Sequence, residues 1–154
     1  MVVSMLSSTP LEQVAAAAGP DVVLWSQVDI RKDRSITLQD ALRAKRCGCA
    51  AIVVTLDPPL VTRSKAGEEF ASVSKPMAEM FQSVSGRTPG HKWDESRNWA
   101  DVDMLRDATD LPVVLKGILR ADDAVEAVNH GAAAIIVSNH GGRRMDGVTA
   151  TVRN

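Results

Sequence analysis

The chain has 154 residues, 45% of them apolar, and a formal net charge of -1, which indicates a globular domain with enough apolar material for a core. The near balance of 18 basic and 19 acidic residues argues against a protein whose main partner is nucleic acid. No apolar run is long enough to span a membrane, and the start of the chain lacks the features of a signal peptide, so we expect a cytoplasmic protein.

Short apolar runs alternate with helical patterns along the chain, which is typical of parallel sheets whose strands are joined by crossover helices. The runs predict strands over residues 2–5, 22–28, 50–56, 112–116 and 133–138. Thr9, Pro10 and Glu12 predict a capping box at the start of a first helix, which Gly19 ends. Further helices are predicted over residues 37–47, 100–108 and 121–129, and His130 is interpreted as a cap after the last one.

Residues 58–98 interrupt this alternation. They are rich in Pro, Gly and Ser, have mixed charge and show no clear hydrophobic period. A stretch of this length without periodicity is usually a functional loop or an insertion. We therefore expect one domain over residues 1–154 that contains an irregular insertion loop over residues 58–98.

Polar side chains stand at or just after the end of each predicted strand. In parallel α/β folds, functional groups gather at the carboxyl ends of the strands, because the loops that follow the strands converge there. The residues at these ends are Ser4, Gln27, Asp29, Thr55, Asp57, Lys116, Ser138, Asn139 and His140. A single polar residue in such a place is common, so the evidence lies in the series, which predicts a site at this edge of the sheet.

Lys116 is the most informative of these positions. It follows three apolar residues of a predicted buried strand, where an ammonium group needs a partner. Three interpretations are open on position alone: a solvated loop residue, a lysine that forms an imine with its substrate, and a fixed cation beside an anionic ligand.

The segment over residues 138–144, SNHGGRR, bears on this choice. An apolar strand leads to Ser138 and His140, and two glycines allow a close turn before Arg143. A histidine that can take a proton, three residues from a guanidinium that can bind a carboxylate at two points, suits an acidic substrate that loses a proton.

The stretch over residues 99–146 contains LPVVLKGILRADDAVEAVNHGAAAIIVSNHGGRRMD and resembles the FMN-dependent 2-hydroxy-acid oxidases and dehydrogenases. This family includes glycolate oxidase, lactate oxidase, mandelate dehydrogenase and flavocytochrome b2. The earlier segments VSMLSSTPLEQVA, SQVDIRKDR and AIVVTLDPP are similar to the family's second, third and fourth barrel strands. The resemblance implies a (β/α)8 TIM barrel, and oxidation of an L-2-hydroxy acid of the lactate or glycolate type to a 2-oxo acid with FMN as cofactor.

The resemblance also implies roles for residues at matching positions. His140 is similar to the base that takes a proton from the substrate, and Arg143 to the residue that binds the substrate carboxylate. Lys116 is similar to the cation beside the pyrimidine end of the flavin, which favours the fixed-cation interpretation. Four further positions match residues that form hydrogen bonds to the flavin: Ser4, Gln27, Thr55 and Ser138. No metal is implied.

The chain also departs from the family pattern. The family has a tyrosine two residues after the glutamine of its third strand, where this chain has Asp29, and the sequence contains no tyrosine. A carboxylate facing an anionic substrate would repel it. After the fourth strand the family has a second arginine for the carboxylate; a gapless match puts Ser64 there, and Arg63 becomes the candidate if one residue is deleted.

A complete barrel of this type takes about 250 residues, so we expect this chain to cover about the second to the sixth strands. An incomplete barrel has two exposed edges, which predicts a homo-oligomer if the chain folds. The alternative to an active enzyme is a truncated, catalytically inactive remnant that acts at most as a binding or assembly partner. An imine-forming lyase that uses Lys116 is a third hypothesis, against which the SNHGGR turn argues.

Overall fold

The computed structural model describes residues 1–57, 94–143 and 147–153. They form a five-stranded parallel sheet whose strands lie side by side in chain order. The strands are β1 (Val2–Val3), β2 (Trp25–Val28), β3 (Ala51–Thr55), β4 (Val113–Ile118) and β5 (Ala134–Val137). The helices are α1 (Leu11–Ala18), α2 (Arg34–Arg46), α3 (Trp99–Thr109) and α4 (Ala121–Asn129), and short 3-10 turns cover His140–Gly142 and Thr151–Arg153. Strand and helix alternate as in part of a (β/α)8 barrel, which is the predicted architecture.

The starts of two helices differ from the prediction. Helix α2 begins three residues earlier than predicted, because the side chain of Asp33 accepts a hydrogen bond from the amide of Ser35 at 3.0 Å and caps the first turn. The capping box predicted for α1 is wrong. Pro10 has an extended ψ of 143° and lies before the first turn, and no side chain caps this helix.

The sheet has two differently packed faces. On the outer face, Val54, Leu115 and Leu105 belong to the main core between the sheet and the helices, and all three are fully buried. On the inner face, Val53 and Val114 form a smaller apolar cluster with Ala51, against which Trp25 and Ile136 pack. Every residue of β3 is buried, as expected for a central strand of a parallel sheet that is covered on both faces.

Two arginines, Arg34 at the start of α2 and Arg97 just before α3, fix the chain around the start of α3. The Arg34 guanidinium forms a two-point contact with Asp101, at 2.6 Å from Nε to Oδ1 and 3.0 Å from Nη2 to Oδ2, and it also pairs with Asp94. Arg97 donates a hydrogen bond to the carbonyl of Leu56, just after β3, at 2.9 Å. The chain therefore returns at residue 94 to a fixed position beside the carboxyl ends of the strands.

His130 has the structural role predicted for it. Its amide donates to the carbonyl of Glu126 at 3.0 Å and closes the C-terminal end of α4. Its ring stacks on Trp99, with centroids 5.3 Å apart, and its Nδ1 lies 2.9 Å from a carboxylate oxygen of Asp103. These contacts hold α4 against α3.

The two outer strands leave apolar side chains exposed. Within the described ranges, β1 pairs only with β2 and β5 only with β4. Val2 on β1 is 47% exposed, Val137 on β5 is 40% exposed, and Val125 and Val128 of α4 are more exposed still.

None of the helices among the described residues combines the length and the apolar character needed to cross a membrane.

Candidate active site

Residues at or just after the carboxyl ends of the five strands line a cavity of about 630 Å³ that is open on one side. Its apolar wall includes Val53 and Ile136 of the inner face. Its polar lining includes seven residues singled out from the sequence, which are Ser4, Gln27, Thr55, Lys116, Ser138, His140 and Arg143. The parallel register explains their convergence, since Thr55 lies opposite Lys116 and the other residues occupy the same end of neighbouring strands. The structure therefore brings these seven residues together, while Arg63 lies outside the described residues.

Gln27 of β2 connects the segment after β1 with the end of β3. Its Nε2 donates to Thr55 Oγ1 at 2.8 Å, and its Oε1 accepts a weak hydrogen bond from the amide of Met5 at 3.4 Å. The orientation of the amide follows from these two partners. Hydrogen bonds within the protein therefore orient the side chains of Gln27 and Thr55.

Asp57 contacts both the ammonium group of Lys116 and the ring of His140. Its Oδ1 lies 2.9 Å from Nδ1 of His140, and its Oδ2 lies 3.3 Å from Nζ of Lys116. The three side chains are mostly buried, with exposed fractions of 10% for Asp57, 16% for His140 and 28% for Lys116. Solvent screens charges only partly at such positions, so Asp57 is in direct electrostatic contact with both partners.

The hydrogen bonds determine the form of the His140 ring. Lys116 Nζ is also near Nδ1, but at 3.5 Å, which is long for a hydrogen bond, whereas Asp57 is at 2.9 Å. An ionised carboxylate only accepts hydrogen bonds, so Nδ1 carries the proton. In the neutral imidazole, Nε2 then holds the lone pair and can accept a proton.

The backbone of the turn after β5 sets the direction of His140. This residue has φ +57°, in the left-handed region that non-glycine residues seldom adopt. Ser138 Oγ accepts from the amide of His140 at 3.1 Å, and Asn139 Oδ1 accepts from the amide of Gly142 at 3.2 Å. Local hydrogen bonds thus hold a conformation that His140 would otherwise avoid.

Arg143 lies beside His140 at the open side of the cavity. Its Nε donates to the carbonyl of His140 at 3.1 Å, and the residue is otherwise exposed. Asp29 lines the same cavity and is only 5% exposed. The cavity wall therefore contains the guanidinium that suits a substrate carboxylate and, in addition, a carboxylate that opposes one.

Sequence reasoning placed Asp57 at this edge of the sheet but assigned it no role. The available signal was its position two residues after β3, on the same edge as Lys116 and His140. A carboxylate near a lysine and a histidine at such an edge suggests pairing with one of them. The missing information was the path of the chain after Thr55, which brings Asp57 over β4.

A family model described as FMN-dependent dehydrogenase matches residues 1–154. Human 2-hydroxyacid oxidase 1 is 39% identical over 169 residues, an alignment that covers 99% of this chain and 45% of the human protein. L-lactate oxidase from a Nostoc species is 36% identical, with 99% of this chain and 46% of that protein covered.

Among solved structures, mandelate oxidase superposes with a TM-score of 0.76 and 36% sequence identity, covering 99% of this chain and 43% of that one. This chain thus spans less than half the length of the proteins that it matches. The likeness in sequence extends over nearly all of the chain and agrees with the parallel βα architecture. The chain therefore belongs to the FMN-dependent dehydrogenase family.

Proposed function

We propose that this chain is part of an FMN-dependent enzyme that oxidises an L-2-hydroxy acid to the corresponding 2-oxo acid, and that residues 1–154 belong to one domain. The observation that carries the proposal is the contact of Asp57 with both His140 and Lys116, two residues that line the cavity together with Arg143. Family membership supports the reaction type, since relatives are named as oxidases of 2-hydroxy acids and lactate.

His140 is the proposed base. Its Nδ1–H donates to Asp57, and Nε2 is the ring nitrogen that would take a proton from the substrate. The imidazolium that forms is then next to a carboxylate, which stabilises the new positive charge. Asp57 thus orients the ring and compensates the charge change, and it does so from a position that is 10% exposed.

Arg143 is the proposed binding group for the substrate carboxylate. A guanidinium can donate two parallel hydrogen bonds to a carboxylate, which fixes the orientation of the hydroxy acid as well as its position. The substrate carbon that loses its hydrogen would then lie near His140, because Arg143 Nε is bonded to the carbonyl of that residue. Arg63 remains a second candidate for this role from the sequence.

The lining of the cavity fits the ring system of FMN. Val53 and Ile136 offer an apolar surface for a flat ring, and Lys116 offers a cation for an anionic ring edge. Hydrogen bonds to the cofactor would come from Ser4, Gln27, Thr55 and Ser138. The chemistry expected from a bound FMN is acceptance of the two electrons that the hydroxy acid loses.

An imine-forming lyase is disfavoured by the surroundings of Lys116. A lysine that attacks a carbonyl must be uncharged. Lys116 Nζ instead lies 3.3 Å from a carboxylate oxygen, which suits an ammonium group. The second candidate function is a catalytically inactive remnant, which Asp29 in the cavity wall favours because it opposes an anionic substrate.

The test begins with the purified chain mixed with FMN. We expect a bound-flavin absorption band and anaerobic bleaching of that band by L-lactate or glycolate. In His140→Ala, uptake of FMN should remain while bleaching is slowed by about 10²–10⁴-fold, the usual contribution of a general base. His130→Ala is the matched control, since His130 packs between α3 and α4 outside the cavity.

A chain that takes up no FMN would refute binding of the cofactor by the residues of this cavity and support the inactive remnant. Bleaching in His140→Ala at the rate of the unchanged chain would refute the role of His140. The expected rates are compared per bound flavin, so that a loss of folded protein does not imitate a loss of chemistry.

We also propose that copies of this chain associate through the outer strands, since β1 and β5 each expose a valine next to an edge with one described partner. Sedimentation velocity tests this: a folded, strictly monomeric species at micromolar concentration contradicts it. A cytoplasmic location is proposed from the sequence alone, whereas two relatives from Arabidopsis thaliana are named peroxisomal.

A further inference from the structure

Gly117 lies in β4 directly after Lys116, at an irregularity of the sheet. Lys116 pairs with Ile136 of β5, and Ile118 pairs with the next residue, Val137, so Gly117 is an extra residue in β4. Its φ is +110°, a conformation that residues with a side chain rarely adopt. The bulge places Gly117 opposite the chain that leaves β3.

Asp57 occupies the space that a side chain at position 117 would need. A Cβ atom built on Gly117 would be 2.5 Å from Cβ of Asp57, 2.8 Å from its Cγ and 2.9 Å from its backbone nitrogen. Real Cβ atoms essentially never approach other atoms this closely. The neighbour is the short side chain and the backbone of Asp57, which cannot move aside as the end of a long side chain could.

We propose that Gly117 is a positioning residue: its missing side chain allows Asp57 to lie between Lys116 and His140 and so to fix the protonated nitrogen of the His140 ring. The catalytic meaning of this arrangement rests on the proposed function. The positioning role itself is inferred only from how closely Asp57 approaches Gly117. Gly117 acts through Asp57 and does not line the cavity.

Gly48 provides a matched comparison. Its φ is +72°, and nothing lies within 4 Å of a Cβ built on it. A change of Gly48 to alanine therefore introduces the strain of a positive φ without a steric contact. Gly48→Ala thus controls for a positive φ as such, and the contact with Asp57 is isolated by comparing Gly117→Ala with and without the side chain of Asp57.

The proposal is tested by ¹⁵N NMR of the histidine rings in the 154-residue chain, at a pH well above the ordinary histidine pKa, with His140→Ala used to assign the signals. In the unchanged chain and in Gly48→Ala we expect the His140 ring to be protonated at Nδ1. In Gly117→Ala we expect the ¹⁵N shifts to move toward a mixture of both tautomers, because Asp57 is displaced. Unchanged His140 shifts in Gly117→Ala would overturn the proposal.

A second measurement covers the case in which Gly117→Ala does not fold. Asp57→Gly removes the two side-chain atoms that the new methyl group would meet at 2.5 and 2.8 Å and leaves only the contact with the backbone nitrogen at 2.9 Å. Gly117→Ala should increase the equilibrium constant of unfolding in both backgrounds. We expect the factor of increase to be at least ten times smaller when Asp57 is replaced by glycine than when it is present. Equal effects in both backgrounds, or failure of the double variant to fold where Asp57→Gly alone folds, would overturn the proposal.

Neither measurement involves flavin. A chain that shows the expected tautomer change but no bleaching by hydroxy acids would refute the proposed function and leave the positioning role intact. If the unchanged chain shows normal bleaching and Gly117→Ala leaves the His140 shifts unchanged, the positioning role is refuted and the proposed function stands.

Discussion

Replacing Asp57 by asparagine removes one negative charge and leaves the shape of the side chain almost unchanged. The carboxylate of Asp57 lies 3.3 Å from Nζ of Lys116 and 2.9 Å from Nδ1 of His140. The side chain is only 10% exposed, so water replaces the lost interactions poorly. Asp57→Asn should therefore lower the free energy of unfolding of the chain.

The size of this loss follows from the distances. At an effective dielectric constant of about 20, Coulomb's law gives about 5 kcal/mol for two unit charges at the separation of Asp57 and Lys116, as an upper bound. Desolvation of both ions offsets much of this gain, and water still reaches Lys116, which is 28% exposed. Asparagine can still accept a hydrogen bond from His140. The expected net loss is therefore about 1–3 kcal/mol.

The assay is urea unfolding followed by tryptophan fluorescence, with Asp110→Asn as the control. Asp110 pairs with Lys45 at 2.8 Å, closer than the Asp57 pair, but its side chain is 84% exposed. It has φ +57°, which asparagine tolerates well, so this substitution changes the charge without backbone strain. An exposed ion pair contributes little, and we expect no measurable change in stability.

Comparing the two variants shows whether burial or the distance between the charges decides how much an ion pair stabilises the chain. If Asp57→Asn is as stable as the unchanged chain, or if Asp110→Asn loses as much stability as Asp57→Asn, the reasoning from burial is refuted. A loss confined to Asp57→Asn supports it. The same variant should also show slower bleaching of bound flavin, because the imidazolium that His140 forms would no longer lie next to a carboxylate.

Three further outcomes are expected. Asp29→Asn should tighten binding of L-lactate by roughly tenfold, as removal of a like charge worth about 1.4 kcal/mol implies, and unchanged half-saturation of flavin bleaching would contradict this. Leu115→Ala should destabilise the chain by about 2–5 kcal/mol in urea, since Leu115 is fully buried in the main core. The Arg43 guanidinium lowers the pKa of Glu12 from 4.5 to about 2, so this pair stabilises the fold above about pH 4.5 and its contribution is lost as the pH falls toward 2. Glu12→Gln should flatten the pH dependence of unfolding in that range, and an unchanged slope would contradict it.

The architecture could be predicted because its signals are local. The run Ala51–Thr55 consists of β-branched and small apolar residues, and a strand buried on both faces needs that composition. Once the strands are taken as parallel, the polar residues after them must share one edge, so the location of Lys116 and His140 near each other follows from topology. Helix starts were less predictable, since Asp33 and Thr9 both have side chains that cap helices and only Asp33 does so here.

The contacts within the site could not be predicted in the same way. Asp57 and His140 are 83 residues apart in sequence, and their hydrogen bond depends on the path of two separate turns. One of these turns holds His140 at a positive φ, which few residues other than glycine adopt. The other passes over a bulge whose position is visible only in the pairing of β4 with β5. Propensity and periodicity carry no information on either feature.

The contacts of Arg34 and Arg97 couple the outer helices to the edge of the sheet that holds the candidate site. Arg34 at the start of α2 pairs with Asp94, and Arg97 donates to the carbonyl of Leu56. Leu56 directly precedes Asp57, so Arg97 fixes the backbone next to the carboxylate that contacts Lys116 and His140. The geometry of the site therefore depends on an arginine that does not line the cavity.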